Sequence, residues 1–296
     1  MQKAIEKADT LIEAMKWIRE HRGKTTVIKI GGSLMDNKVA MMHLLLDAVF
    51  METVGMRPVI VHGGGKAISQ AMSDAGIEPR FIQGRRFTDA PSLEIVRNVL
   101  ACQIPKMLVD EIISYGGQAK AFAEFDHSTI LYGKKSTIPD ENGEPIDLGF
   151  VGTVTRVDTD AITKAGDQGF IPIIPSYTLM DDGSGQGLNV NADIAATKVA
   201  KALKADKLVF VSEVNGVRKD PDDPNSMISA LTVKEAKDLL GSGSIVGGMI
   251  PKIQSCLETI ESGVDKIHII NGQIRHSLLM EIFTSQGVGT LIQQKK

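Results

Sequence analysis

Twice in its first 65 residues this chain breaks a short β-branched run with glycines and then starts a helix, and that repetition dictates the class of fold. Residues 25–30 run into Gly31-Gly32, and 38–54 then carry apolar residues at helical spacing. Residues 57–61 run into His62-Gly63-Gly64-Gly65, and 67–75 are helical, with Gly76 behind them. Strand, glycine turn and helix in succession call for parallel strands joined by crossover helices, an α/β fold on a mainly parallel sheet. The same reading gives helices at 92–101, 106–114, 159–165, 192–203, 233–240, 250–262 and 277–283, and strands at 118–125, 129–132, 171–174, 207–211 and 266–270. The turn-rich stretch 140–145 with 150–157 predicts a hairpin on the sheet's rim. Ahead of the first strand, Ala4, Ile5, Ala8, Leu11, Ile12, Met15 and Ile18 fall on one helical face that ends at Gly23. That helix must dock on its own domain or on a second subunit.

A length of 296 residues suits one large domain or two modest ones. No Pro/Ser linker interrupts the pattern, so two lobes on one continuous sheet are expected, changing near residue 178. Lys plus Arg is 33 against 36 Asp plus Glu, and aromatics are 4%, which leaves neither a basic footprint nor a stacking platform for nucleic acid. No apolar run approaches the ~18 residues that span a bilayer, and the first 24 residues have no signal-type apolar core. Cys102 and Cys256 make neither a disulfide framework nor a metal motif. A cytoplasmic protein without membrane or nucleic-acid partners is the expectation.

Glycines let a backbone approach a ligand closely, and a helix start just beyond them offers unpaired N–H groups to phosphate. A third cluster, Gly241-Ser242-Gly243-Ser244 with Gly247-Gly248, leads into Met249-Ile250-Pro251-Lys252. The P-loop pattern fails, because position 60 is Ile and Ala67 follows Lys66; the dinucleotide pattern fails at Ile68. Lys29 sits in an otherwise apolar strand two residues before glycines. It is either a cation aimed at phosphate or a stem reaching the sheet's end. Lys252 opposes a helix dipole. In Asn189-Val190-Asn191-Ala192-Asp193 three polar residues alternate, and capping a helix needs only one of them. Arg85-Arg86 suits carboxylate recognition or a solvated surface pair. His62 reads as a turn residue, and both cysteines read as core. The histidines form no zinc pattern, so no protein metal site is expected.

These motifs, with Gly84-Arg85-Arg86-Phe87-Thr88, resemble in order and spacing the amino acid kinase family, over residues 25–292. The nearest likeness is to its branch acting on N-acetyl-L-glutamate. The resemblance implies an open αβα sandwich with an N-terminal oligomerisation helix (1–22), an acceptor lobe (23–178) and an ATP lobe (179–296). It implies transfer of the ATP γ-phosphoryl to the acceptor's side-chain carboxylate, with Mg²⁺ carried by ATP, as a step toward arginine. Lys29 and Lys252 would stabilise the phosphoryl from two sides and Asp193 would orient them. Gly64, Gly65, Arg86 and Asn189 would hold the acceptor; Gly31, Gly32, Ser212 and Gly248 would serve ATP. Arginine-inhibited members resemble this chain at both ends. That implies an effector site at Lys207, His268, Glu281 and Gly287 and a hexamer built as a trimer of dimers, with a dimer as the alternative. Members of the branch also include partners of PII-type signalling proteins. The chain departs from the family pattern at Arg85, at Gln103–Lys106, at 123–127 and at Ser212–Asn215. A kinase for another acyl-amino acid, such as an aminoadipate derivative, and a non-catalytic sensor on the same fold stay open as alternatives.

Overall fold

The computed structural model describes residues 1–32, 34–123, 129–220, 223, 226–243, 245, 249–284 and 287–294, without the side chains of residues 3, 4, 7 and 251. In chain order the first half is α1 (Gln2–His21), β1 (Thr25–Ile30), α2 (Lys38–Thr53), β2 (Arg57–His62), α3 (Gly65–Asp74), β3 (Phe81–Ile82), β4 (Arg85–Arg86), α4 (Ala90–Asn98), α5 (Ile104–Ser114), β5 (Ala119–Ala121), β6 (Leu131–Pro139), β7 (Pro145–Val157), α6 (Thr159–Asp167), β8 (Ile171–Pro175) and β9 (Tyr177–Met180). The second half is β10 (Gly187–Val190), α7 (Ala192–Ala202), β11 (Lys207–Ser212), β12 (Val217–Arg218), β13 (Met227–Ile228), β14 (Ala230–Thr232), α8 (Val233–Gly241), α9 (Met249–Glu261), β15 (Lys266–Asn271), α10 (Ser277–Phe283) and β16 (Thr290–Gln293).

One eight-stranded sheet crosses the molecule in the order β14-β16-β15-β11-β1-β2-β8-β5. The β1 pairings with β2 and β11, and those of β8 with β2 and β5, are parallel, as is β11 with β15; β15–β16 is antiparallel. Strands of the first half lie on one side of β1 and those of the second half on the other, so β1 marks the switch point where such sheets open a crevice at the carboxyl ends of their strands. Ile30 is in register with His62 and with Val211, which brings Gly31, Gly63 and Ser212 to that edge together.

Strand alternation divides the core between two faces. Ile28, Ile30, Ile60 and Ile173 pack with Leu44, Leu45 and Ala48 of α2 and Leu108 and Ile112 of α5. Val27, Val59, Val61, Ile174 and Phe210 pack with Ala195, Ala196 and Val199 of α7 and Ile253 and Cys256 of α9. Helices on both faces of a mainly parallel sheet give the expected αβα sandwich. Lys29 shares the face of Val27, toward α7.

Three readings need correction. The hairpin is not on the rim of the large sheet: β6 and β7 are longer than expected and close a separate four-stranded barrel with β9 and β10. The 118–125 strand is confined to Ala119–Ala121, with 124–128 outside the described residues. The two helices expected at 92–101 and 106–114 are one nearly continuous rod, in which a π-turn at Val99–Gln103 joins α4 to α5. Pro105 has no N–H for the preceding turn, and the wider turn absorbs that loss.

The last turns of α1 dock through Trp17, stacked on His21, and through His21 edge-on to Phe283 of α10. Leu11 and Ile12, 70% and 65% exposed, lie on the part of α1 that leaves the body. Among the described residues no helix is long and apolar enough to cross a membrane.

Candidate active site

The two glycine turns touch. A β-carbon on Gly32 would lie 2.8 Å from the amide nitrogen of Gly65, and one on Gly63 would lie 3.0 Å from Cβ of Ala192 at the start of α7. Side chains here would force apart the ends of β1, β2 and α7. Gly64 is constrained from behind: its β-carbon would meet Ile104 Cδ1 at 2.7 Å and Leu100 Cδ2 at 2.8 Å. The π-turn thus backs the phosphate-type loop at the start of α3.

Asn191 decides the arrangement at α7. Its Oδ1 accepts the amides of Asp193 and Ile194 at 2.8 and 3.1 Å, so it caps the helix. Asp193 is therefore spared for Lys29, whose Nζ lies 2.8 Å from Oδ1. A half-buried cation in an apolar strand has found its counter-ion, and both groups face a cleft of about 250 Å³. Gly32, Gly63, Gly64, Gly65, Arg86 and Asn189 also line this cleft. Lys252 comes from α9 to an adjoining cavity of about 400 Å³ that shares Gly84, Arg85, Asn191 and Asp193 with the cleft. Burial pushes the Lys252 ammonium below its ordinary pKa, the neighbouring Lys29 pushes the same way, and Asp193 opposes both. Two lysines thus lie near one carboxylate where the cleft meets a second cavity.

Arg86 is buried. Its Nη2 donates to Gly65 O at 2.9 Å and Ser69 Oγ at 2.7 Å, Nη1 lies 3.3 Å from Met72 Sδ, and the guanidinium stacks 4.8 Å from the centre of the Phe81 ring. Burial lowers its pKa without threatening its charge. Asn189 Nδ2 donates to Thr88 Oγ1 at 3.1 Å, which ties the barrel to the segment between β4 and α4. His62 is buried beside Gly63 O, and burial pushes its pKa down to about 4, so it stays neutral as a turn residue. Cys256 is buried and its thiol is pushed up by burial, consistent with core; Cys102 is half-buried. Ser212 ends β11 beside Ile270 O. Gly247 and Gly248 lie outside the described residues.

The sequence reading did not anticipate the contributions of Ser176, Val151 and Gly152 to the cleft. They arrive through the barrel, whose pairings are long-range. Lys66 directly follows the second glycine cluster. Its Nζ lies 3.2 Å from Asp36 Oδ2 and 4.0 Å from Glu213 Oε1, spanning the two halves at the cleft's mouth.

The four residues expected around an effector also converge, at the amino end of β11. His268 Nδ1 lies 2.6 Å from Glu281 Oε1, and Glu281 Oε2 accepts the amides of Val288 and Gly289 at 2.8 and 3.0 Å. Burial alone would raise the Glu281 pKa, but these contacts outweigh it and hold the carboxyl below its ordinary value. Much of the Glu281 carboxylate is therefore already engaged. Gly287, at φ +60°, lies against that carboxylate. Lys207 is buried, and burial, reinforced by Lys266 and Lys24, pushes its pKa down to about 8.

The profile described as the Amino acid kinase family matches residues 24–271. The chain belongs to this family. It is 43% identical over 294 residues, 98% of this chain and 99% of the relative, to the acetylglutamate kinase of Symbiobacterium thermophilum. It is 44% identical over 290 residues, 97% of both chains, to that of Moorella thermoacetica. Among solved structures it resembles the N-acetylglutamate synthase of Neisseria gonorrhoeae complexed with coenzyme A and N-acetyl-glutamate, with a TM-score of 0.82 and 26% identity; the match covers 98% of this chain and 64% of that one. Membership makes the chain a phosphotransferase by kind, and it gives the two-lysine junction a reaction to serve.

Proposed function

We propose that this protein transfers the γ-phosphoryl group of ATP to the side-chain carboxylate of N-acetyl-L-glutamate, the reaction named by its curated relatives. The observation that carries the reading is the Lys29–Asp193 pair at 2.8 Å, set at the junction of the cleft with the Lys252 cavity. A carboxylate oxygen of the acceptor forms a bond to the γ-phosphorus, the bond from that phosphorus to the bridging oxygen breaks, and ADP leaves with the electron pair. The acceptor is already ionised, so no proton need move and no general base is required.

Each residue then has a physical task. Gly32 and Gly64 let the two glycine turns and the π-turn behind them close up, which sets backbone N–H groups at the start of α3 for phosphate oxygens. Arg86 and Asn189 hold the acceptor, with Gly65 beside them. Lys29 and Lys252 oppose the repulsion between an anionic acceptor and an anionic phosphate, and Asp193 fixes Lys29 where that repulsion is greatest. Gly31, Ser212 and Gly248 are assigned to the ATP side, and Mg²⁺ arrives on the phosphate oxygens of ATP. The division into an acceptor lobe (23–178) and an ATP lobe (179–296) follows the same assignment, in a cytoplasmic enzyme.

Arginine as a feedback effector is the second part of the proposal. Lys207, His268, Glu281 and Gly287 cluster next to His21, the last residue of α1. The projecting apolar face of α1 supports assembly of dimers into a hexamer.

The test is ADP release with Mg-ATP and N-acetylglutamate, beside glutamate and N-acetyl-aminoadipate, with and without arginine. Turnover on N-acetylglutamate that Lys29→Ala lowers by at least ~10² supports the reading; turnover only on another acceptor overturns the substrate. Removing residues 1–22 should dissolve the hexamer and weaken inhibition, and undiminished arginine sensitivity would refute the role of α1.

A further inference from the structure

Two adjacent arginines in β4 have opposite fates. The β3–β4 hairpin turns through Gln83 and Gly84, with φ of 47° and 75°. Nε2 of Gln83 donates to Pro139 O at 3.0 Å, which ties the tip to β6. Neighbouring side chains on such a ribbon point to opposite faces. Arg86 goes inward to Gly65, Ser69 and Met72. Arg85 is exposed on the other face and lies on the wall common to the acceptor cleft and the Lys252 cavity. Asn191 and Asp193 belong to the same wall, so Arg85 stands at the junction where the Lys29–Asp193 pair meets Lys252.

Its electrostatic setting differs from that of Lys29 and Lys66. Lys66 is paired with Asp36, and Lys29 with Asp193. Among the described residues the Arg85 guanidinium has no hydrogen bond or ion pair. Besides Asp193, which Lys29 engages, the acid lining the Lys252 cavity is Glu258 of α9. An always-charged planar fork with uncommitted donors is suited to two oxygens of one phosphoryl group.

We propose that Arg85 is a third cation of the transfer site, contacting the phosphoryl group in transit from the hairpin side. The inference rests on the kinase reading above. As the acceptor oxygen bonds to the γ-phosphorus and the bond to ADP breaks, charge spreads over the equatorial oxygens and the bridging oxygen. Lys29 and Lys252 approach from the sheet and from α9, and Arg85 covers the remaining side. Because Arg86 already provides the inward contact for the acceptor, loss of Arg85 falls on kcat and not on the affinity for either substrate.

The experiment compares full-length wild type, Arg85→Met, Arg85→Lys and Glu258→Gln by ADP release with Mg-ATP and N-acetylglutamate, with thermal melts to confirm folding. Arg85→Met is expected to lose at least ~10-fold in kcat, with each KM within about 3-fold of wild type. Arg85→Lys should fall between the two, and millimolar guanidinium should restore part of the Arg85→Met turnover. An unchanged kcat, or a raised acceptor KM with kcat intact, overturns the proposal. An equal loss in Glu258→Gln also overturns it, because the arginine would then act as a tie to α9. A silent wild type brings down the kinase reading together with this inference, whereas an active wild type matched by Arg85→Met brings down the inference alone.

Discussion

Gly64→Ala tests whether the phosphate-type loop is held by what lies behind it. Gly64 has φ −165°, outside the left-handed region that favours glycine. The objection is steric. The new methyl would sit 2.7 Å from Ile104 Cδ1 and 2.8 Å from Leu100 Cδ2, about 0.7 Å inside ordinary van der Waals contact. Both neighbours are buried, at 6% and 1% exposure, in a rod fixed by the π-turn, so they can retreat little. Overpacking of this kind costs ~1–3 kcal/mol in stability. If the loop yields instead, its N–H groups move by a sizeable part of an ångström, and displacements near 1 Å at a reacting centre cost ~10²-fold in rate. Both effects should relax in part in Gly64→Ala/Ile104→Val, because valine lacks the atom at 2.7 Å, although Leu100 Cδ2 stays, and by itself costs only ~0.5–1.5 kcal/mol. The assay is a double-mutant cycle in kcat and in urea unfolding free energy. Coupling of at least ~0.5 kcal/mol in the favourable direction is expected. Wild-type kcat in Gly64→Ala, or strict additivity in the double variant, would refute the reasoning.

Two further substitutions probe the charged junction. Asp193→Asn removes the larger of the two charges that raise the Lys252 pKa, Cys256 being the lesser, and leaves burial and Lys29 to lower it. The pH above which kcat is lost should therefore move down relative to wild type, and an unmoved alkaline limb in a pH–rate profile would contradict the assignment. Asn191→Ala deletes the α7 cap, which costs ~1 kcal/mol in a thermal or urea melt. It also exposes Asp193 to the vacant amides in competition with Lys29, so kcat should fall, and Asn191→Asp should restore the stability.

What the sequence made legible was local. The first two glycine turns, the lysine in an apolar strand and the alternating Asn189, Asn191 and Asp193 each follow from a few adjacent residues, and the structure brings them to one edge. The barrel was not legible, because β9 and β10 are four residues each and their pairing with β6 and β7 is set by contacts far along the chain. The π-turn left a trace in Pro105, but the reason for its position, support of Gly64, exists only in three dimensions. The split between Arg85 and Arg86 has the same character. A period of two separates them, yet nothing local says which face of a two-residue strand is inside. Charge burial was likewise invisible: Lys207 begins a strand, as surface lysines often do, and turns out to be 8% exposed.

That burial makes Lys207 the sharpest test of the effector proposal, because a buried lysine carries a stability cost that a purely structural role would not justify. Its folded-state pKa is about 8 against an ordinary 10.5. A lysine depressed in this way leaves the folded protein binding fewer protons than the unfolded chain between those values, so stability rises with pH across that window. Below pH 8 the full penalty applies, on the order of 3 kcal/mol at 1.36 kcal/mol per unit. Lys207→Met keeps the length and removes the charge. It should raise the unfolding free energy by about that amount at pH 7 and by roughly half as much at pH 9.5. If Lys207 receives the carboxylate of arginine, the same variant should lose inhibition while keeping kcat. Binding of arginine to the wild type at pH 8 should also take up a fraction of a proton, read from calorimetry in buffers of different ionisation enthalpy, because a carboxylate beside the ammonium raises its pKa. A Lys207→Met protein that is more stable and still inhibited would leave the lysine's burial real but place the effector elsewhere. A gain over wild type no larger at pH 7 than at pH 9.5 would show that the charge is solvated in solution.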